Sequence, residues 1–337
     1  LEKQKNLNSG KNLCFWNKPK NILTKHVDNK WKNICVLIND KKIKLQSKGI
    51  EYLRIKSENL SNFFLKKLKQ KENFSLLMNQ KIISLRNKKD LIKINSNKAI
   101  YNTSLVFDSR IDYKSNCEKN LYQHFYGIEL TLNKNLTVYD EVILMDIQNK
   151  KNVFNFFYIL PISKKKVFVE TTYFSSKILT KEDYNKDLKN YLKKKFCGYK
   201  YKIKSHESGV IPMFKYRENN SSNHIKIGTA GNWVKQSTGY SLQNCFKYSK
   251  EIVDCIIKHQ KPKIYEKKLS NFLDKTFCIF LINNPEKITL FFERFFTRNK
   301  LITLVNFLTN SASLNETLKI IISLPKFLLI KSLFLNK

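Results

Sequence analysis

The stretch GTAGNWVKQSTGYSL, residues 228–242, decides how the rest of the chain is read. The protein has eight glycines in 337 residues, and three of them, Gly228, Gly231 and Gly239, fall within twelve positions here. HIKI (224–227) reads as a strand leading into them, and Leu242, Cys245, Phe246, Cys255 and Ile256 follow at the spacing of one helix face reaching about residue 260. A strand that ends in glycines and turns into a helix brings bare backbone amides to a helix N-terminus, a place that receives phosphate or another anion. Gly228 and Gly231 would let a cofactor lie against the backbone, and Thr238-Gly239 would fit a second tight approach. A plain strand–turn–helix junction has the same residues, so the spacing alone leaves both readings open.

The bulk composition narrows the class. Apolar residues at 42% and aromatics at 13% are ample for a packed core, and the length allows two modest domains or one large mixed one. The formal net charge of +36 suggests a polyanionic partner. Its lysines are spread along the chain, in short runs such as Lys164-Lys165-Lys166 and Lys193-Lys194-Lys195, whereas nucleic-acid readers concentrate them on one element. An anionic lipid surface, rather than nucleic acid, is therefore the expected partner. Seven cysteines, at 14, 35, 117, 197, 245, 255 and 278, form no CxxC pair, which argues against a metal ribbon or disulfide framework and fits a reducing, cytoplasmic setting. No signal peptide is visible, and no run of about 18 apolar residues suggests a membrane span.

The first half of the chain reads as strands. ICVLI (34–38) and KKIKLQ (41–46) precede an amphipathic helix at 59–70, and four short strands follow between 82 and 110. Longer strands are expected at 122–132 and 141–147, with a hairpin over 154–174 around the lysine turn. Thr180 followed by Asp183 opens a helix over 180–196 with a capping box. Residues 264–337 read as helical, with apolar runs such as FCIFLI (277–282) and FLLI (327–330) too short to span a bilayer. Those runs suit interfacial helices with lysines toward the headgroups, or an ordinary helical cap.

IGTAGNWVKQSTGYSL resembles the second flavin-binding segment of the lycopene β-cyclases, which carry a GTAG…PSTGY pattern. Other pieces agree in the same order: CFW (14–16), VFDSR (106–110), YQHFYGIEL (122–130), VILMDI (142–147), FFYILPISKKKVFVETTYFS (156–175) and ESGVIPM (207–213). The resemblance implies a mixed α/β fold of the flavoprotein monooxygenase/reductase type: a Rossmann-like FAD-binding part, an interleaved β-sheet substrate part and C-terminal helices. On it, 1–110 is the remainder of the FAD domain with a strand-rich insertion, and 111–222 is the β-sheet substrate domain. Residues 223–262 are the second FAD segment, and 263–337 are the C-terminal helices. The family's opening G-x-G-x-x-G is not in this sequence, and Glu2 would be the ribose carboxylate roughly 20 residues past it. The expectation is that about 30 residues, one βαβ opening, precede Leu1 in a longer protein, and that residues 1–337 alone bind FAD poorly and are inactive.

The implied reaction closes the ends of lycopene into β-ionone rings, through γ-carotene to β-carotene, with FAD in its reduced form, NAD(P)H as electron source and no net redox change. Such chemistry needs a carboxylic acid that stays protonated and shielded from water. In KVFVETTYF, alternation puts Phe168, Glu170 and Thr172 on one face of a strand and Val167, Val169 and Thr171 on the other. On pattern alone Glu170 reads as solvent-facing, since glutamates are mostly exposed; its match to the first acid of the family's FLEET motif makes it the catalytic candidate. Thr171 stands where that motif has its second acid, and Ile147 where the Met-Asp motif has an aromatic. The resemblance further implies pocket roles for Asp108, Glu129, Asp146, Tyr158 and Thr172, and cofactor contacts for Glu2, Gly228, Gly231, Thr238 and Gly239. Asp108 beside Arg110 reads equally as a local ion pair, Glu207 is a supporting acid, and His124 and His206 carry no role. The expected location is the cytoplasm, peripheral or monotopic on a membrane. A related FAD-dependent prenyl reductase or monooxygenase, or a basic module binding lipid or nucleic acid, is the alternative.

Overall fold

A computed structural model describes residues 1–7, 10–18, 22–46, 48–88, 91–111, 120–150, 153–216, 221, 223–262 and 268–334. Cys117 lies outside the described residues; the six described cysteines are free thiols. In chain order the first strands are β1 (Asn12–Trp16), β2 (Asn29–Trp31), β3 (Asn33–Ile38), β4 (Lys41–Leu45) and β5 (Tyr52–Lys56), followed by helix α1 (Ser57–Leu68). Next come β6 (Ile82–Lys88), β7 (Leu91–Ser96), β8 (Ile100–Thr103) and β9 (Val106–Asp108). The long strands β10 (Tyr122–Leu132), β11 (Glu141–Lys150), β12 (Val153–Ser163) and β13 (Lys166–Ser175) lead to α2 (Lys181–Lys195) and β14 (Tyr201–Pro212). The chain closes with β15 (His224–Lys226), α3 (Leu242–Ile257), α4 (Lys268–Asn283), α5 (Ile288–Thr297), α6 (Leu301–Leu308), α7 (Leu314–Ser323) and α8 (Lys326–Phe334).

A seven-stranded sheet in the order β14-β10-β13-β12-β11-β3-β4 forms the centre. Its pairings are antiparallel except β11 with β3. Residues within 1–110 thus supply two strands, β3 and β4, to this sheet. Both edges are rich in lysine, Lys202 and Lys204 on β14 and Lys41, Lys42 and Lys44 on β4, charges that discourage edge-to-edge association. Part of the lysine excess has this structural use.

Both faces of the sheet are covered, and this explains why β12 reads as an almost unbroken apolar run. Phe157 and Ile159 of β12, with Val167, Val169 and Tyr173 of β13, pack under α2 against Tyr184, Leu188 and Tyr191. Phe154, Phe156 and Leu160, with Phe168 and Phe174, pack instead against Phe291, Phe292, Phe295 and Phe296 of α5 and Leu304 of α6. The capping box at Thr180 and Asp183 is formed as its spacing predicts, and it starts α2 where its apolar stripe meets the sheet.

Three smaller sheets complete the architecture. β1-β5-β2 is antiparallel and lies beside the centre; β6-β7-β8 is an antiparallel meander; β15 runs parallel to β9. β1, β2, β5 and β14 were not expected from the sequence. β2 is only three residues, and β14 is an exposed edge whose polar residues hide the alternation of a buried strand.

One glycine fixes how the central strands sit. A Cβ on Gly127 of β10 would fall 2.3 Å from Cζ of Phe168 and 3.2 Å from Cβ of Glu170. The Phe168 ring therefore lies over the space a side chain would take. Gly127→Ala should destabilise the fold by about 1–3 kcal/mol through overpacking, measurable by urea unfolding with an unchanged m-value.

Candidate active site

Strand register builds the site. Tyr158 on β12 opposes Glu170 on β13, Glu170 opposes Gly127 on β10, and Gly127 opposes Glu207 on β14. Opposed residues share a face, so Tyr158, Glu170 and Glu207 project together on the side of the C-terminal helices. The gap at Gly127 separates the two carboxyl groups. Thr171 projects to the other face, where Asn155 Nδ2 donates to its Oγ1 at 2.9 Å. A side chain at this position points away from Glu170.

The two acids are treated differently by their neighbours. Glu207 Oε2 accepts from the backbone N of Asn12 at 2.9 Å and from its Nδ2 at 2.7 Å. Arg54, buried on β5, donates from Nε to Asn12 Oδ1 at 2.6 Å and from Nη1 to Asn29 Oδ1 at 2.7 Å, and its Nη2 lies 3.8 Å from Glu129. Glu170 has only Thr172, whose Oγ1 donates to Oε1 at 2.7 Å. Burial pushes the Glu170 carboxyl up to about 8, the Glu207 charge adds to the rise, and the Thr172 bond opposes it. Burial also raises Glu207, against the two Asn12 bonds.

Glu170 opens onto a cavity of about 180 Å³ walled by aromatic and aliphatic side chains, among them Trp16, Tyr52, Tyr158, Tyr240 and Phe292. Among the described residues Glu170 is the only carboxyl group in this wall, and no Lys, Arg or His joins it. Tyr158 donates to the Tyr52 hydroxyl at 3.0 Å, and Trp16 packs on Tyr52 with ring centroids 4.7 Å apart. Burial holds both tyrosines well above the usual phenol range and Tyr240 at about 12, while the neighbouring Cys14 thiol is pushed up to about 12. All four are neutral at ordinary pH. Gln123 Oε1, also in the wall, is buried without a hydrogen-bond donor.

The glycine stretch forms the adjoining wall through Ser237, Thr238 and Tyr240. Gly228 (φ +59°) has open space where a side chain would stand, and Gly239 (φ +72°) has Gln123 Oε1 2.7 Å from that position. Gly231 has a different reason: its Cβ would fall 2.3 Å from the Lys226 carbonyl oxygen, so the turn itself excludes a side chain. Ser241 makes no side-chain cap to α3, which leaves the helix's opening amides to other acceptors. Open backbone at Gly228, an uncapped helix start and an unpartnered Gln123 oxygen fit an anionic, ring-bearing cofactor such as FAD.

A buried ion pair anchors this loop. Lys235 Nζ lies 2.7 Å from Asp274 of α4 and donates to Asn310 at 2.8 Å and Ser270 at 3.1 Å; Ser237 also donates to Asp274, at 2.7 Å. Sequence reading passed over Lys235 and Asp274, and also over Arg54, Asn12 and Gln123 as site residues. The one available signal was a charge inside an apolar strand, as in YLRIK.

Other expected pocket residues lie outside the cavity wall. Asp108 ends β9 in a cluster with Arg110 (2.9 Å), Lys226 (2.9 Å) and His224 (3.2 Å). Burial opposes its ionisation, but Arg110 and Lys226 hold the carboxyl well below the usual range. Asp146 faces α2, bonded by Tyr191 at 2.6 Å and Lys195 at 3.3 Å, because alternation turns it away from Met145 and Ile147. Glu129 shares the Glu170 face but is taken by Lys56 and Arg54. Asp108, Glu129 and Asp146 thus stand outside the wall of the Glu170 cavity, whereas Tyr158 and Thr172 line it. Glu2 hydrogen-bonds with Gln4, Leu77 and Gln80. Among the described residues no cluster of three His, Cys, Asp or Glu could hold a metal ion.

The fold is that of FAD-dependent reductases and monooxygenases. A geranylgeranyl bacteriochlorophyll reductase-like protein of Thermoplasma acidophilum superposes with a TM-score of 0.62 at 13% identity, over 98% of this chain and 90% of that one. p-Nitrophenol 4-monooxygenase PnpA of Pseudomonas putida DLL-E4 gives 0.58 at 11% identity, over 98% and 90%. A flavoprotein/dehydrogenase of Cytophaga hutchinsonii gives 0.57 at 9%, over 94% and 85%. No curated protein matches the chain. The family described as lycopene cyclase protein matches residues 6–333, so the chain belongs to the lycopene cyclase family.

The raised Glu170 carboxyl has a consequence for stability. It stays protonated in the folded state up to about pH 8, while the unfolded side chain ionises near its ordinary value of 4.5. Stability held below the unfolded value is therefore lost as pH rises toward and through 8. Glu170→Gln escapes this loss. Its melting curve should match wild type near pH 5 and gain on the order of 2 kcal/mol at pH 9, as read by circular dichroism.

Proposed function

We propose that the protein is a lycopene β-cyclase, converting the open ends of lycopene to β-ionone rings through γ-carotene to β-carotene. The observation that carries this reading is Glu170, the single carboxyl group in an apolar aromatic cavity walled on another side by the glycine stretch. A terminal alkene is a weak base, so its protonation needs a strong local acid and the absence of competing water. Glu170 would deliver its proton to the alkene end, the neighbouring double bond would attack the tertiary cation, and the carboxylate would accept the proton lost when the ring alkene forms. Proton and electron counts are conserved, as an isomerisation requires.

Neighbouring groups support each step. Thr172 orients Glu170 Oε1 through its 2.7 Å bond. The faces of Trp16, Tyr52, Tyr158 and Phe292 offer negative quadrupole potential to a passing cation without supplying a nucleophile strong enough to trap it. Gly228, Thr238 and Gly239 would hold FAD, the last two beside the cavity and the α3 amides toward phosphate. Reduced FAD, with NAD(P)H as electron source, would supply an electron-rich ring beside the cationic carbon. Lycopene dissolves in bilayers, so the enzyme would work peripherally or monotopically at a cytoplasmic membrane surface, its lysines toward anionic lipid. Among the described residues no helix is long and apolar enough to cross a membrane.

A prenyl reductase or monooxygenase is the competing reading on this fold. It would consume NAD(P)H in proportion to product, whereas a cyclase turns over many rings per flavin reduction. In lycopene-accumulating cells the full polypeptide should convert red pigment to orange, and Glu170→Gln should lose at least about 100-fold of that activity. Full activity in the Gln variant removes the acid assignment. With purified enzyme the rate should be flat at low pH and fall about tenfold per pH unit above the Glu170 value of about 8, because only the protonated form donates.

A further inference from the structure

The C-terminal helices bury one side and leave the other apolar. On α7, Leu314, Leu318 and Ile322 repeat every four residues and are 71%, 54% and 65% exposed, while Thr317 and Ile320 between them are buried. On α8, Phe327, Ile330 and Phe334, spaced three and then four residues apart, are likewise exposed, Phe327 to 78%. Leu269, Phe272 and Ile282 of α4, which packs against α8, are also exposed. Ordinary surface helices place polar residues on such a stripe.

The charges around these stripes have one sign. Lys268, Lys275, Lys319, Lys326 and Lys331 are exposed on α4, α7 and α8. The two acids of these helices are engaged elsewhere: Asp274 is buried with Lys235, and Glu316 is bonded to Asn306 and Ser313. Lysines bordering projecting aliphatic and phenyl groups complement an anionic bilayer surface, which takes the ammonium groups at its phosphates and the apolar tips below them.

A second cavity, of about 240 Å³, lies between this surface and Glu170. Exposed Phe272 and Ile330 line it together with Lys326 and Leu329. At its other end Ser237, Thr238, Phe292, Phe295 and Leu308 line both this cavity and that of Glu170. The two cavities therefore adjoin, and both are lined mainly by apolar side chains.

We propose that the α4/α7/α8 face docks into the headgroup layer of an anionic bilayer, and that the cavity opening between Phe272 and Ile330 admits a hydrocarbon chain from the bilayer to the Glu170 cavity. The docking stands independently; the passage rests on the reading of the Glu170 cavity as the site for a carotenoid end. The chain would leave lipid for protein without crossing water, which removes the main barrier to handling an insoluble polyene.

The test uses vesicles of dioleoylphosphatidylcholine with roughly 30% dioleoylphosphatidylglycerol, with and without dissolved lycopene. Co-flotation of wild type is expected, and Leu318→Asp/Phe327→Asp should weaken it about tenfold or more without lowering the melting temperature, since both positions are exposed. Uptake is read by lycopene quenching of tryptophan emission, because Trp16 lines the Glu170 cavity. Wild type should be quenched by vesicle-borne lycopene. The double variant should be quenched only by lycopene in detergent micelles, and Leu329→Tyr, which narrows the cavity from a half-buried wall position outside the exposed stripe, should bind vesicles normally yet be quenched several-fold more slowly. Unchanged flotation of the double variant overturns the docking, as does wild type that ignores vesicles and self-associates through this face. Normal quenching in Leu329→Tyr overturns the passage. Quenching without ring formation leaves this inference standing and defeats the cyclase reading instead.

Discussion

The pairing of Glu170 with Gly127 across two antiparallel strands is the constraint on which the site depends. A carboxyl group in an apolar wall is costly when ionised, and it remains an acid only if no cation comes near enough to stabilise its charge. Arg54 is a buried cation on β5, and its three nitrogens are directed to Asn12, Asn29 and Glu129. Glu207 receives the Asn12 bonds. Glu170, one strand further in, receives a single hydroxyl. A one-residue slip in β13 would turn Glu170 under α2 and expose the cavity to Thr171 and Val169.

The two-sided burial of the sheet divides its work. The α2 face is a polar-studded aromatic layer in which hydroxyls and acids pair, as in Tyr191 with Asp146 or Tyr126 with His206. Burial drives the His124 ring there down to about 4, so it is neutral near pH 7. The opposite face is phenylalanine-rich and holds the cavities. The Lys235–Asp274 pair ties the glycine stretch to α4. A buried pair of this kind is weak evidence for stability but strong evidence for a fixed register between two parts of a structure.

Much of this was legible in the sequence. The β12–β13 hairpin, the α2 capping box and the strand–glycine–helix order at 224–242 all follow from local chemistry, and period-two alternation alone put Glu170 with Phe168 and Thr172. The acids were less legible. Asp108, Glu129 and Asp146 stand in motif segments as Glu170 does, yet each meets a cation or tyrosine contributed by an element 45 or more residues away or, for Asp108, by Arg110 next door as well. Arg54 and Lys235 could not be recognised, because their partners are distant in the chain.

The sequence by itself determined the family, the alternation of the long strands and the glycine turn at 228–231, since each depends on neighbours along the chain or on motif order. Only the tertiary structure decided which acid keeps its proton. That choice depends on desolvation and on the reach of Arg54, Asn12 and Thr172, and these are distances through space that no local spacing encodes.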